Sequence, residues 1–156
     1  MTPRWLDDDE QRTWRAFLAA TQLVMDQLDR QLQRDSGMPR AYYEILVRLS
    51  EAPDRRLRMS ELAQTCWSSR SRLSHAVARL EESGWVRRES CPQDKRGQFA
   101  VLTDTGFRVL ERAAPGHVEQ VREMLFDTLT GEQQTALREA CEVVASRLEQ
   151  PATARP

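Results

Sequence analysis

The stretch from Ser68 to Leu102 leaves little freedom in how this chain can fold. After Ser68 or Ser69, either of which can cap a helix by accepting an amide hydrogen bond, Leu73, Ala76, Val77 and Leu80 recur at three- and four-residue intervals. That spacing places them on one stripe of a helix that runs to Ser83 and is closed by Gly84. Two short runs with strand character follow, Val86 to Cys91 and Gln98 to Leu102, around the polar loop Pro92-Gln93-Asp94-Lys95-Arg96-Gly97. Gly97 is the residue in that loop best able to supply a positive φ. Upstream, Arg56 to Arg58 suits a short strand, and Ser60 is a candidate cap for a short helix over Glu61 to Thr65. A short helix, a tight turn, a second helix and a two-stranded ribbon are the parts of a winged helix-turn-helix.

The flanks are helical. Trp14, Phe17, Leu18, Thr21, Met25, Leu28 and Leu32 mark a first helix over Asp8 to Asp35, stopped by Ser36-Gly37. A second, Pro39 to Glu51, carries Tyr42, Ile45, Leu46 and Leu49 on one face. After Thr103 a long helix reaches about Asp127, with Val109, Leu110, Ala114, Val118, Val121 and Leu125 on its buried side and a kink expected near Pro115-Gly116. Thr130-Gly131-Glu132-Gln133 has the form of a capping box for a last helix carrying Leu137, Cys141, Val144 and Leu148. The expected organisation is mainly α with a small β-wing. Residues 1–36 and 104–150 form a helical dimerisation region, 37–103 the winged helix-turn-helix, and 151–156 a flexible tail.

Charge distribution matters more than its total of −1. Arg55 to Arg112 holds twelve basic and seven acidic residues, whereas the remainder holds eleven basic and seventeen acidic. A basic middle between acidic ends puts positive potential where phosphate could be drawn in. No run approaches the roughly 18 apolar residues of a membrane span, and the acidic start lacks a signal-peptide core, so a cytoplasmic location is expected. Cys66, Cys91 and Cys141 lie far apart and suit reduced thiols. No P-loop, GxGxxG, HExxH or GxSxG occurs, so no catalytic residue is assigned and no enzyme is expected. His75 and His117 sit in no ligand cluster, and neither a metal nor a cofactor is expected.

On the second helix of the pair, the face opposite the apolar stripe carries Ser71, His75 and Ala78, flanked by Ser68, Ser69, Arg72, Ser74 and Arg79. Small, polar and cationic side chains let a helix approach base edges, and arginine can donate twice to guanine. Arg70 lies nearer the edge of the stripe and suits a backbone contact. In the loop, Lys95 and Arg96 present cations on a thin projection that can enter a minor groove, with Asp94 orienting Arg96, Arg87 or Arg88.

The run Met59-Ser60-Glu61-Leu62-Ala63, then Ser71 to Val77, Leu80-Glu81, Gly84-Trp85-Val86 and Arg88, resembles the multiple-antibiotic-resistance-regulator (MarR) family. Asp94-x-Arg96-Gly97 followed by Leu102-Thr103-x-x-Gly106 continues the resemblance, which covers nearly the whole chain. Trp85 departs from it, standing where leucine is commoner. The resemblance implies a symmetric homodimer on a palindromic duplex operator, usually a repressor released by a small molecule. It maps the recognition helix onto Ser69 to Ser83 and the wing pair onto Asp94 and Arg96. It further implies an aromatic or phenolic effector, for which Trp14, Arg15, Tyr42, Tyr43 and Trp67 are the candidates. Two alternatives stay open: a redox-sensing regulator using an accessible Cys91, with Cys66 and Cys141 as buried hydrophobes, and a sequence-blind architectural DNA binder.

Overall fold

A computed structural model describes residues 2–92 and 94–149, with the side chains of Asp94, Lys95 and Arg96 outside the described set. Gln93 and the expected tail at 151–156 also lie outside it. The chain divides into two compact units, residues 1–118 and 119–156.

The first unit opens with helix α1 (Asp8–Ser36). Its start is fixed by a reciprocal pair: the Glu10 amide donates to Asp7 Oδ1 at 2.8 Å and the Asp7 amide to Glu10 Oε2 at 3.0 Å. Gly37 ends it at φ 64°, a left-handed position that glycine adopts freely. Only the last third of α1 is buried, through Leu28, Gln31 and Leu32. The earlier part of the apolar stripe, Trp14, Phe17, Leu18 and Met25, is exposed on the single chain.

Helix α2 (Arg40–Glu51) buries Tyr43, Ile45, Leu46 and Leu49, and a 3-10 turn at Pro53–Arg55 leads into β1 (Arg56–Arg58). Helix α3 (Met59–Thr65) begins earlier than its sequence suggests. Ser60 lies inside it, and the Glu61 carboxylate accepts from the Arg58 amide at 3.2 Å to close the N-terminus instead. Helix α4 (Arg70–Glu82) follows, capped by Ser69, whose hydroxyl accepts from the Arg72 amide at 3.2 Å.

Strands β2 (Val86–Cys91) and β3 (Asp94–Leu102) form the wing, and β1 pairs antiparallel on the other side of β3, in the order β1-β3-β2. Register runs from Val86 opposite Leu102 to Ser90 opposite Gln98, then shifts to set Cys91 opposite Asp94. The connection is therefore shorter than the expected six-residue loop, and Gly97 falls inside β3. Backbone pairing continues through a polar run that has no apolar alternation to announce it.

The core of this unit is a contiguous apolar cluster. Leu32, Leu46, Leu49, Leu62, Leu73, Val77 and Leu80 are each no more than 2% exposed. Burying such a side chain contributes about 1.5–3 kcal/mol, so this cluster fixes α4 on its support.

Helix α5 (Asp104–Val121) runs on through Pro115. Its buried residues are Gly106, Leu110 and Ala113, while Val118, expected inside, is 53% exposed. The Leu102-Thr103-x-x-Gly106 pattern acquires a cause here. Thr103 Oγ1 donates to the Gly84 carbonyl at 2.7 Å and accepts from the Gly106 amide at 3.0 Å. A Cβ at Gly106 would overlap the Trp85 carbonyl oxygen, so only glycine lets the helix start so close to the wing.

In the second unit, a π-helical turn spans Arg122–Phe126 and α6 covers Gly131–Glu149. The capping box forms as read: the Thr130 amide donates to Gln133 Oε1 at 2.9 Å and the Gln133 amide to Thr130 Oγ1 at 3.2 Å. No residue of α6 is buried.

Candidate nucleic-acid interface

The outward face of α4 is set by what its inward face buries. With Leu73, Val77 and Leu80 in the core, Ser71, Arg72 and His75 are turned outward and exposed, as are Ser69 and Arg70 at the N-terminus. Ser68 is half-buried; its amide donates to the Ala63 carbonyl at 2.9 Å, tying the turn to α3. Arg79 is held along the helix by Glu82, Nη1 to Oε2 at 2.9 Å.

Ser74 has a different environment from its neighbours. Its carbonyl and hydroxyl accept from Arg88 Nη2 at 2.9 and 3.4 Å. Arg88 also pairs with Glu81 at 3.2 Å, and its amide donates to Glu81 Oε1 at 3.0 Å. One arginine on β2 thus clamps the wing to α4, a bond between residues 14 apart that local pattern does not reveal. Arg87 is bound by Glu89 at 2.6 Å. Both wing-root arginines thus have carboxylate partners among the described side chains.

A second basic ledge lies at the root of the wing. The guanidinium groups of Arg56 and Arg58 sit 5.0 and 5.6 Å from the Phe99 ring centre. Arg58 Nη2 also donates to Cys91 Sγ at 3.4 Å, beside a cavity of 290 Å³. The sequence signal for this ledge is slight: Arg56 and Arg58 alternate on a three-residue strand, β1. Cys91 itself is 5% exposed, which overturns the expectation of an accessible thiol. Cys141, expected to be buried, is exposed. Cys66 is half-buried, and burial together with the charge of Glu44 pushes its thiol up to about 11.

The aromatic candidates for an effector site do not converge. Trp14 and Arg15 lie on the exposed half of α1, Trp14 stacked on Phe17 at 6.1 Å and Arg15 donating to Gln11 Oε1 at 3.1 Å. Tyr42 is half-buried. Tyr43 lines a cavity of 230 Å³ with Leu28, Arg40, Arg48 and His117, its ring 4.3 Å from the His117 ring. Trp67 borders a separate cavity, also 230 Å³, with Cys66 and Arg72. His117 and Arg40 join this set only through the fold, since they lie 77 positions apart and no motif links them. Burial, then the neighbouring Arg40 charge, lowers the His117 pKa; burial raises that of Tyr43.

Among the described residues no group of three or more His, Cys, Asp or Glu is placed to hold a metal, and no helix is long and apolar enough to cross a membrane. The fold defines a winged helix-turn-helix carrying helices on both flanks. A profile of the MarR family matches residues 36–97. The chain is 58% identical to Sco3205, a MarR family transcriptional regulator from Streptomyces coelicolor solved in complex with DNA. That similarity covers 99% of this chain and 97% of the other, with a TM-score of 0.94. AbsC, another MarR family regulator from Streptomyces coelicolor, is 44% identical over 94% of this chain and 98% of its own, with a TM-score of 0.89. PecS, an HTH-type transcriptional regulator of Dickeya dadantii (strain 3937), is 34% identical over 79 residues, 51% of this chain and 47% of PecS. The matched stretch thus spans about half the length of PecS. The chain belongs to the MarR family of transcription regulators.

Proposed function

We propose that this regulator binds a palindromic duplex operator as a homodimer, with α4 in the major groove and the wing tip in the adjacent minor groove. The observation that carries this is the α4 surface: Ser71, Arg72 and His75 project from a helix whose other face is locked into the core. Arg88 holds α4 and the wing at a fixed separation, which two adjacent grooves demand. Ser74 serves that clamp, while Arg72 and His75 read base edges and Ser69, Arg70 and Arg79 face the backbone. Lys95 and Arg96 are assigned to the wing tip from their place between β2 and β3. Sco3205, at 58% identity, is solved on DNA, which supports the same partner for this chain.

A single α4 buries too little to select one site in a genome, so two-fold symmetry is needed. The uncovered apolar faces of α1 and α6 supply the surfaces for a second copy. A dimer seated on a promoter blocks access to it, and repression follows from occupancy. A small aromatic anion fits the Tyr43 cavity, whose walls pair aromatic rings with Arg40 and Arg48. Its binding between α1, α2 and α5 would shift the support of α4 and release the operator.

The test is a titration of operator and scrambled duplexes with two variants. Arg96→Ala should weaken operator binding by about tenfold or more with folding intact. Arg72→Ala should cost roughly 1–3 kcal/mol on the operator and relax base preference. Equal losses on both duplexes would make this a sequence-blind binder; unchanged titrations would remove α4 and the wing from the interface.

A further inference from the structure

Among the described residues the exposed large apolar side chains lie at or before Met25 or at and after Val118, except Trp67, which stands apart at 72% exposure between α3 and α4. Its backbone is unusual as well: φ is 51°, the left-handed region that a bulky side chain rarely enters. The turn is not loose. Cys66, Trp67 and Ser68 donate their amides to the carbonyls of Leu62, Gln64 and Ala63 at 3.0, 3.1 and 2.9 Å. The indole is therefore held outward by a fully bonded turn, two residues ahead of the Ser69 cap and on the same cavity wall as Arg72.

We propose that Trp67 is a DNA contact, its ring packed on a deoxyribose at the lip of the groove that α4 enters and its indole N–H donating to a phosphate oxygen. This rests on the DNA-binding reading above and adds a positioning element to it. The chemistry of the neighbourhood favours nucleic acid over a protein partner. Arg40 and Arg72 line the same cavity against a single carboxylate, Glu44, the capped start of α4 follows two residues on, and the only other exposed apolar side chain on that lining is the small Ala41. A flat apolar body with one donor at its edge matches the alternation of sugar and phosphate along a strand. A contact of this kind carries no base information, so it fixes how far α4 advances and loses affinity uniformly across sequences when removed.

Trp67→Gly and Trp67→Phe would be titrated against operator and scrambled duplexes beside wild type and Arg72→Ala, with thermal melting of each free protein. Glycine relieves the left-handed turn, so Trp67→Gly should melt no lower than wild type while binding both duplexes about tenfold more weakly. Trp67→Phe keeps a ring but no donor and should fall between. Indole emission should be quenched by duplex in wild type and lose that component in Trp67→Phe. Wild-type affinity in Trp67→Gly overturns the proposal while Arg72→Ala still reports on the DNA-binding reading itself. A Trp67→Gly protein that binds DNA normally but no longer responds to a small aromatic anion also overturns it, moving the ring to effector recognition.

Discussion

In α4 the stripe Leu73, Val77 and Leu80 is at most 2% exposed, whereas in α6 Val143, Val144 and Leu148 are 71%, 56% and 79% exposed. Both helices carry apolar residues at helical spacing, so periodicity alone does not separate them. The difference is what each finds within one chain. The winged region closes its core by itself, with α2, α3 and the sheet covering α4. The terminal helices are left with apolar faces that a single copy does not cover. Helix α1 shows both conditions along its length, with Leu28 and Leu32 buried and Trp14, Phe17 and Leu18 near half exposed. One region closes its core within a single chain; the other leaves apolar faces exposed, which the proposed homodimer would cover.

The contrast can be broken most severely in the core. Leu80→Ala should cost about 2–5 kcal/mol, because the cavity it leaves is enclosed by rigid neighbours. Melting should fall by the same amount at every protein concentration, and a concentration-dependent loss would mean α4 also depends on a second copy. The next effect should come from Val144→Glu, which leaves the fold of one chain untouched but sets a charge on the surface assigned to the partner. Sedimentation should show dimer dissociation shifted by about tenfold or more toward monomer; an unchanged dimer would relocate the interface away from α6.

The smallest effect concerns pH. His117 is held neutral against Tyr43 and near Arg40, with its pKa below the ordinary 6.5. An unfolded chain therefore binds a proton more readily than the folded one as pH falls through 6.5, and stability declines on acidification until the folded group also protonates. His117→Asn should flatten that limb of the melting profile. A wild-type profile level between about pH 7 and 5 would show that His117 contributes nothing to it.

Much of the fold is legible in the residues because the strongest local signals coincide with it. Gly37, Ser69, Gly84 and the Thr130–Gln133 box all act where their chemistry places them. What escaped was non-local or silent. Ser60 lost the cap to Glu61, whose longer side chain reaches back to the Arg58 amide. The true start of β3 is hidden because Asp94, Lys95 and Arg96 have no alternation to read. Helix α5 buries Leu110 as its stripe suggests, but Gly106 and Ala113 join it and Val118 does not. At the site, the outer face of α4 followed from its wheel, but the Arg88 clamp on Ser74 and the tilted Tyr43–His117 ring contact join residues 14 and 74 positions apart. Such pairs exist only once the chain has closed on itself.

Footprinting of the purified protein on genomic DNA is the most direct measurement. Protected segments should share an inverted repeat whose half-sites lie about one helical turn, roughly 34–36 Å, or a multiple of it apart. Uniform coverage without a common repeat, or no protection at low salt, would contradict a symmetric pair of α4 helices and wings seated on duplex DNA.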